Sequence, residues 1–177
     1  MGILAIATSL GGIAYYALMI HLIGHSLIKA SFFLTSGNVL ELFETKRIKS
    51  VRALALVDKK TSWLWILSFL GICAFPPSVL FVSEFLIVKT FIIQKHYALC
   101  ALFLFLLTVI LFAMGRAVIK MAYGEKTPEK FERAKANLSK LDLTMYIPQI
   151  CLLTLAFILG IYIPIILDIT IINGLIG

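Results

Sequence analysis

Residues 13–40, IAYYALMIHLIGHSLIKASFFLTSGNVL, decide the fold. Apart from His21, His25 and Lys29, this stretch carries no imidazole and no charged side chain. An α-helix rises about 1.5 Å per residue and the hydrocarbon core of a bilayer is about 30 Å thick, so the stretch is long enough to cross a membrane as one helix. We therefore predict a transmembrane helix here.

The composition of the whole chain agrees with this prediction. Hydrophobic residues make up 61% of the 177 residues and charged residues only 14%. In soluble domains, about 45–50% of the residues are hydrophobic and roughly 25% are charged. A soluble domain of this size still exposes about 30% of its unfolded surface, so it could not hide this many Leu, Ile and Phe side chains from water. The composition excludes a disordered chain and indicates an integral membrane protein.

The charges and the cysteines further restrict the class of protein and the kinds of site that the chain can contain. The net charge of +7 comes mainly from two polar stretches, 41–60 and 120–143, which are expected to be extramembrane loops rather than a nucleic-acid surface. Cys73, Cys100 and Cys151 lie in separate apolar stretches without a CxxC pair or a ligand cluster. We expect no disulfide frame, metal site or cofactor, and interpret the three cysteines as small buried hydrophobic residues.

The apolar run begins at Gly2, and Gly11-Gly12 is its natural break. The stretch before this break is about ten residues long, short of the ~20 that a crossing needs. The sequence therefore predicts an all-α integral membrane protein, with residues 1–177 as a single transmembrane domain and a half-helix stub at the N-terminus. The rest of the first span is expected from another polypeptide or from residues outside this sequence.

Pro76-Pro77 separates two apolar stretches, 61–75 and 78–91, each too short for a full crossing. One interrupted crossing would put the two basic loops on the same side of the membrane, as the positive-inside rule prefers. Two crossings would put them on opposite sides. The residues alone leave both arrangements open.

His21, His25 and Lys29 are spaced four apart, so on a helix they form a stripe that drifts by about 40° and rises about 6 Å per step. Ionisable groups at membrane depth cost several kcal/mol and predict a polar, hydrated seam inside a bundle. Imidazole titrates near neutrality and lysine changes charge when desolvated, which is the chemistry of a proton relay. The alternatives are hydrogen bonding to neighbouring helices and an HxxxH zinc pair, for which this helix offers no Cys or carboxylate ligand.

Glu84 is a lone carboxylate on an apolar stretch after the Pro76-Pro77 break. It is expected to stay protonated or to pair with a cation, for which Lys29 is the candidate. A helix break of this kind resembles the ion sites of transporters and predicts a hydrated cavity, although a carboxylate facing the headgroups is an alternative. Lys89 is a possible secondary site, with snorkelling to the interface as the simpler explanation.

Two motifs carry a family resemblance. The stretch HLIGHSLIKASFFLTSG, residues 21–37, resembles the HxxxHxxxKxxxFLxxG signature of the antiporter-like membrane subunits of respiratory complex I, Mrp-type cation/proton antiporters and membrane-bound energy-converting hydrogenases. The stretch GICAFPPSVLFVSEF, residues 71–85, resembles the second signature, a Gly/Pro break followed by Ser-Glu or Ser-Lys. Ser83-Glu84 and the double proline favour the hydrogenase-linked branch. The chain resembles only the C-terminal half of such a subunit.

The resemblance implies separate helices before and after the break, hence about five crossings plus the stub. It implies an H⁺- or Na⁺-translocating subunit of a respiratory or hydrogenase-type oxidoreductase complex, with His21, His25, Lys29 and Glu84 on the ion route. The subunit would contain no catalytic site of its own. The expected surroundings are a prokaryotic cell membrane, bacterial or archaeal, and other membrane subunits, one of them supplying an N-terminal antiporter-like half or a neighbouring antiporter-like module. The alternative is a non-conducting structural anchor that completes a split module.

Overall fold

The structure, a computed structural model, describes the backbone of residues 2–176 and the side chains of residues 2–163. Within this range the chain is helical and contains no strand, which confirms the predicted fold class. The α-helices are α1 (Gly2–Leu10), α2 (Ile13–Phe43), α3 (Leu54–Val57), α4 (Lys59–Ile72), α5 (Val79–Ile93), α6 (Tyr97–Tyr123), α7 (Pro128–Ala136) and α8 (Ile147–Ile176).

The half-helix stub predicted at the N-terminus is present as α1. Gly11 and Gly12 join it to α2, and both have positive φ values, 67° and 56°. Glycine adopts this left-handed region at little cost because it has no Cβ. The side-chain amide of Gln94 donates a hydrogen bond of 2.6 Å to the carbonyl of Leu10, which ties the end of α1 to the end of α5.

Helix α4 begins at a capped end. The Asp58 carboxylate accepts hydrogen bonds from the backbone N–H groups of Lys60 and Thr61, at 3.1 and 3.0 Å, which satisfies donors that have no partner within a helix. The Tyr146 hydroxyl donates to the same carboxylate at 2.8 Å. Burial raises the pKa of Asp58, but the hydrogen bonds from Thr61 and Tyr146 outweigh it and hold the pKa below its ordinary value. This junction fixes the start of α4 against α8.

Helices α4 and α5 pass down α2 one after the other. Contacts from α4 meet the later part of α2, and contacts from α5 meet progressively earlier residues. In chain order, the contacts are Trp65 on Phe32, Gly71 on Ile28, Val79 on Gly24 and Ser83 on His21. Both helices therefore run antiparallel to α2, and they lie end to end rather than side by side.

This end-to-end placement is the one that a single interrupted crossing by α4 and α5 would need. Three described helical segments are individually long and apolar enough to span a membrane: Ile13–Phe43, Tyr97–Tyr123 and Leu143–Ile163. The five crossings expected from the resemblance are not confirmed, because the contacts stack the two short helices in a single path.

The two basic stretches meet at one end of the bundle, here called the basic end. Lys140 forms an ion pair of 3.0 Å with Glu44, and the Asn137 side chain donates to the carbonyl of Leu42 at 3.0 Å. The hydrogen bond from Lys140 also holds the pKa of Glu44 below its ordinary value. With both stretches on the same side, the positive-inside rule has a clear preference and predicts that the basic end is cytoplasmic.

Two large apolar clusters hold the helices together. One lies among α1, α2 and α5 and includes Ile28, Val79 and Ile87, all fully buried. The second lies at the basic end, among α2, α4 and α6. Of the three cysteines expected to be buried, Cys100 is buried, whereas Cys73 is half-buried and Cys151 is exposed. The expectation is wrong for Cys151, because its side of α8 faces away from the described bundle.

Candidate functional site

The ionisable stripe on α2 begins inside the bundle and ends on its surface. His21 is 5% exposed, His25 is half-buried and Lys29 is exposed. The two imidazole rings are stacked, with centroids 5.7 Å apart and an angle of 15° between the planes. The Lys29 Nζ lies 5.5 Å from the centroid of the Phe33 ring. The drift of about 40° for each four-residue step explains why successive members turn away from the core.

His21 connects this stripe to α5. Its Nδ1 lies 3.0 Å from the Oγ of Ser83, and the Ser83 hydroxyl also donates to the carbonyl of Leu80 at 2.8 Å. A serine hydroxyl has a single proton. When that proton is directed to Leu80, the Nδ1–H of His21 donates to Ser83, which leaves Nε2 to accept a proton. The sequence analysis quoted Ser83 only as part of a motif and did not assign it this role.

Glu84 points towards a different helix from its neighbour Ser83. A step of one residue turns a helix by about 100°, so Ser83 faces α2 while Glu84 faces α6. Glu84 lines a cavity of about 180 Å³ in which its polar neighbours are Thr108 and the weakly polar Cys73. A volume of this size has room for water, and Glu84 and Thr108 are the lining side chains that can hydrogen-bond to it. The remaining walls are Ile72, Leu104, Leu107, Ile110, Leu111 and Met114.

The structure does not bring Lys29 and Glu84 together. Within the described residues, the one ion pair joins Lys140 to Glu44. Ser83, directly before Glu84, lies level with His21. From this level α5 continues towards the N-terminal end of α2. Lys29 lies about 12 Å from His21 in the other direction, towards the C-terminal end of α2. The two side chains therefore form no direct ion pair, because their levels in the bundle differ, and a coupling between them through a histidine or water stays a prediction.

The connection between α4 and α5 is packed at Ser78. This residue is fully buried, and its hydroxyl donates to the carbonyl of Gly71 at 3.2 Å. Gly160 of α8 lies so close to the backbone of Pro77 and Ser78 that a Cβ atom at this position would collide with it. Pro76 and Pro77 themselves are exposed. The expected hydrated cavity is not found at Ser78; the cavity lies further along, beside Glu84.

Lys89 lies exposed on α5, outside the cavity that Glu84 lines. It follows Glu84 by more than one helical turn, towards the end of the bundle opposite the basic end. This position is compatible with snorkelling of its ammonium group to an interface. A role for Lys89 in ion movement stays a prediction.

A buried neutral cluster joins α2, α4 and α8. Ser31 Oγ lies 3.2 Å from Ser68 Oγ and donates to the carbonyl of Gln149 at 3.2 Å. The Thr35 hydroxyl lies 3.3 Å from Oε1 of Gln149, which is only 1% exposed. This cluster is not among the sites predicted from the sequence, because those predictions concerned ionisable residues. The four-residue spacing of Ser31 and Thr35 and a glutamine within an apolar span were the available signals.

The described part of the chain has the features of a multi-pass helical membrane protein with ionisable side chains inside its bundle. The family model described as NADH:quinone oxidoreductase/Mrp antiporter, transmembrane, matches residues 1–111. The chain belongs to this family. The resemblance drawn from the motifs around His21 and Pro76-Pro77 is thereby confirmed.

Two curated relatives extend the match. A Hydrogenase-4 component F homolog of Methylacidiphilum infernorum is 27% identical over 165 residues, covering 93% of this chain and 33% of that protein. A subunit of a Na⁺/H⁺ antiporter from Alkalihalophilus pseudofirmus is 26% identical over 136 residues, covering 77% of this chain and 27% of that protein. The chain thus spans about a third of the length of the first relative and about a quarter of the second.

Proposed function

We propose that this chain is an H⁺- or Na⁺-translocating, antiporter-like subunit of a membrane-bound respiratory or hydrogenase-type oxidoreductase complex. The observation that carries the proposal is Glu84 in its cavity between α5 and α6. A carboxylate at membrane depth is costly and is retained where it binds or exchanges ions. The names of the two relatives, a hydrogenase component and a Na⁺/H⁺ antiporter subunit, support the same class.

The histidines supply the second part of the proposed route. His21 is hydrogen-bonded to Ser83, which directly precedes Glu84, and the His25 ring is stacked on His21. Water in the cavity would pass protons to or from Glu84, and the imidazoles would relay them along α2 towards Lys29. Under this proposal, a proton-exchanging group lies at each of two faces of α5: Glu84 of α5 itself towards α6, and His21 of α2 beside Ser83. The break before α5 sets the level of both groups in the membrane.

We propose partners from the exposure of the α2 stripe. Lys29 is exposed on a helix whose outer side also exposes Met19, Ile23 and Phe33. A lysine at membrane depth needs a polar environment, which lipid tails do not provide. Other membrane subunits would cover this side, including one that supplies an N-terminal antiporter-like half or a neighbouring antiporter-like module. The proposed location is the cell membrane of a prokaryote.

A specific observation favours the second candidate, a non-conducting anchor. Glu84 and the α2 stripe lie on different sides of α5, and the described cavity beside Glu84 does not include His21 or His25. A chain that only completes and stabilises a larger module would need no continuous path between these groups. The two candidates make opposite predictions for one substitution.

Glu84→Gln tests the proposal. The variant keeps the size of the side chain but removes its exchangeable charge. In vesicles containing the assembled complex, a pH-sensitive dye and radioactive Na⁺ uptake would report translocation, while substrate oxidation would report electron transfer. We expect at least a ten-fold loss of translocation with assembly unchanged. The control is Glu125→Gln, which removes a carboxylate from the exposed segment after α6.

If Glu84→Gln assembles normally and translocates at the unmodified rate, the conducting role is wrong and the anchor candidate replaces it. If only one of the two ion signals is lost, that signal identifies the ion that this subunit moves. Loss of translocation in Glu125→Gln as well would show that the assay responds to charge in general.

A further inference from the structure

A second, larger cavity lies at the basic end of the bundle. Its volume is about 430 Å³, within the range of about 300–1,000 Å³ typical of ligand pockets. It is a groove between α2, α4 and α6, closed at the end by the segment that follows α2. It does not include Glu84 or any member of the α2 stripe, and the wall residue Met114 is what it shares with the cavity beside Glu84. Its main apolar walls are Phe32, Val39, Trp65, Met114, Val118 and Met121.

The groove is apolar along its walls and positive at its end. Lys46 and Arg47 line it at the point where α2 has ended and the chain leaves the bundle. Both residues are exposed, and neither forms an ion pair within the described residues. A basic pocket between transmembrane helices at the cytoplasmic side suits an anionic lipid headgroup. The distribution of charge and apolar surface therefore matches an amphiphile with one anionic end.

Trp65 forms part of the apolar wall of the groove. Its side chain is 7% exposed and lines the groove, yet its Nε1–H has no hydrogen-bond acceptor. The ring stacks on Phe32, with centroids 4.2 Å apart, which fixes its orientation. A buried indole N–H without an acceptor is unusual in a folded protein. The Nε1 atom has almost no exposed surface, so this N–H does not open into the groove, and a ligand there would contact apolar atoms of the indole ring.

The dimensions separate a lipid chain from a protein helix. A helix about 10 Å wide with a pitch of ~5.4 Å would fill a volume of this size with a single turn. A single turn would leave most of such a helix outside the groove, whereas one acyl chain can lie along the apolar walls with an anionic headgroup at Lys46 and Arg47. We propose that the groove binds one acyl chain of an anionic phospholipid, whose phosphate lies between Lys46 and Arg47. The lipid would close the gap between α2, α4 and α6.

Photoreactive lipids test this proposal in the assembled complex. The complex is placed in phosphatidylcholine nanodiscs that contain a small fraction of a probe with a diazirine on its acyl chain. The probe is either phosphatidylglycerol, which is anionic, or phosphatidylcholine, with the same chain. Labelled residues are mapped by mass spectrometry. We expect labels on Met114, Val118 or Met121, with phosphatidylglycerol exceeding phosphatidylcholine at least five-fold, because each basic residue contributes about five-fold near an anionic headgroup.

Three variants separate the parts of the site. Lys46→Gln/Arg47→Gln should make the two probes label equally, while Trp65→Phe, which keeps a stacked apolar ring, should leave labelling by both probes unchanged. Val118→Trp should fill the groove and remove labelling by both probes. The matched control, Lys126→Gln/Lys135→Gln, removes two exposed charges from the same end of the bundle outside the groove.

Equal labelling by the two probes in the unmodified complex would overturn the proposal, as would an anionic preference that survives Lys46→Gln/Arg47→Gln. Labels confined to residues outside the groove would also overturn it. Diazirine transfer to a neighbouring polypeptide, together with an unlabelled groove, would show that protein fills the space. None of these outcomes depends on ion translocation, so the lipid site and the proposed function can fail separately.

Discussion

Helix α2 carries two polar stripes that differ in burial. The ionisable stripe begins at buried His21 and ends at exposed Lys29. The neutral stripe consists of Ser31, Thr35 and Asn38, which are all buried. The spacing explains the difference. Steps of four residues each add about 40°, so the first stripe drifts off the core-facing side. In the second stripe, the step from Ser31 to Thr35 is four residues and the step from Thr35 to Asn38 is three. The two rotations nearly cancel, since seven residues drift around the helix by only about 20°.

The difference separates two uses of polar groups in a membrane. Neutral hydroxyl and amide groups can satisfy one another within the bundle, as Ser31, Ser68 and Gln149 do, although the buried amide nitrogen of Asn38 has no partner among the described residues. They join helices and carry no exchangeable charge. Ionisable groups need water or a countercharge to change state, and the drift takes them to the edge where either can reach them. The first stripe therefore fits ion movement and the second fits assembly.

The largest expected effect is at His21. His21→Asn keeps a polar atom near the position of Nδ1 and can still bond to Ser83, but it cannot carry a proton at neutral pH. We expect translocation in vesicles to fall at least ten-fold with normal assembly. Ser83→Ala, which keeps the imidazole and removes its partner, should lower translocation less. An unimpaired His21→Asn complex would remove the imidazoles from the route.

Lys29 should show a smaller but clear effect. Lys29→Ala removes the charge at the exposed end of the stripe, and Lys29→Arg keeps the charge but does not deprotonate. Both should lower translocation several-fold while electron transfer by partner subunits persists in uncoupled membranes. Lys120→Arg is the matched control, on an exposed lysine near the end of α6 that lies outside the cavity and the stripe. Normal pumping by Lys29→Arg would mean that this lysine acts only as a fixed charge.

The neutral stripe should respond in stability rather than in transport. Thr35→Val replaces the hydroxyl near Gln149 by a methyl group of similar size, at a cost of about 1 kcal/mol for the lost hydrogen bond. We expect a lower thermal midpoint of the assembled complex and an unchanged translocation rate per complex. A loss of transport without a loss of stability would assign the neutral stripe to the route as well.

The smallest expected effect concerns the packed connection before α5. A cysteine at Ser78 should not react with a small water-soluble thiol reagent, because this position is fully buried beneath Gly160. A cysteine at Ser139, in the exposed segment at the basic end, is the reactive control. Rapid labelling at position 78 would mean that water reaches the break and that the hydrated region extends from Glu84 to the prolines.

The sequence by itself determined the helical membrane character, the stub before Gly11-Gly12, the drift of the α2 stripe and the family. These properties depend on composition, on the helical period and on short motifs, all of which are local. The length of an apolar run is set against the fixed thickness of a bilayer. The angle between successive side chains follows from 3.6 residues per turn. Neither requires knowledge of which helices become neighbours.

Only the tertiary structure decided which groups meet. It placed α4 and α5 end to end along α2, where charge and resemblance had favoured different arrangements, and it put Glu84 against α6 instead of beside Lys29. It also paired His21 with Ser83. The physical reason is that a contact between helices depends on their relative direction and level, which the packing of many apolar side chains fixes together. The close approach of Gly160 to the backbone of Pro77 and Ser78 is one such constraint, and no local sequence pattern predicts it.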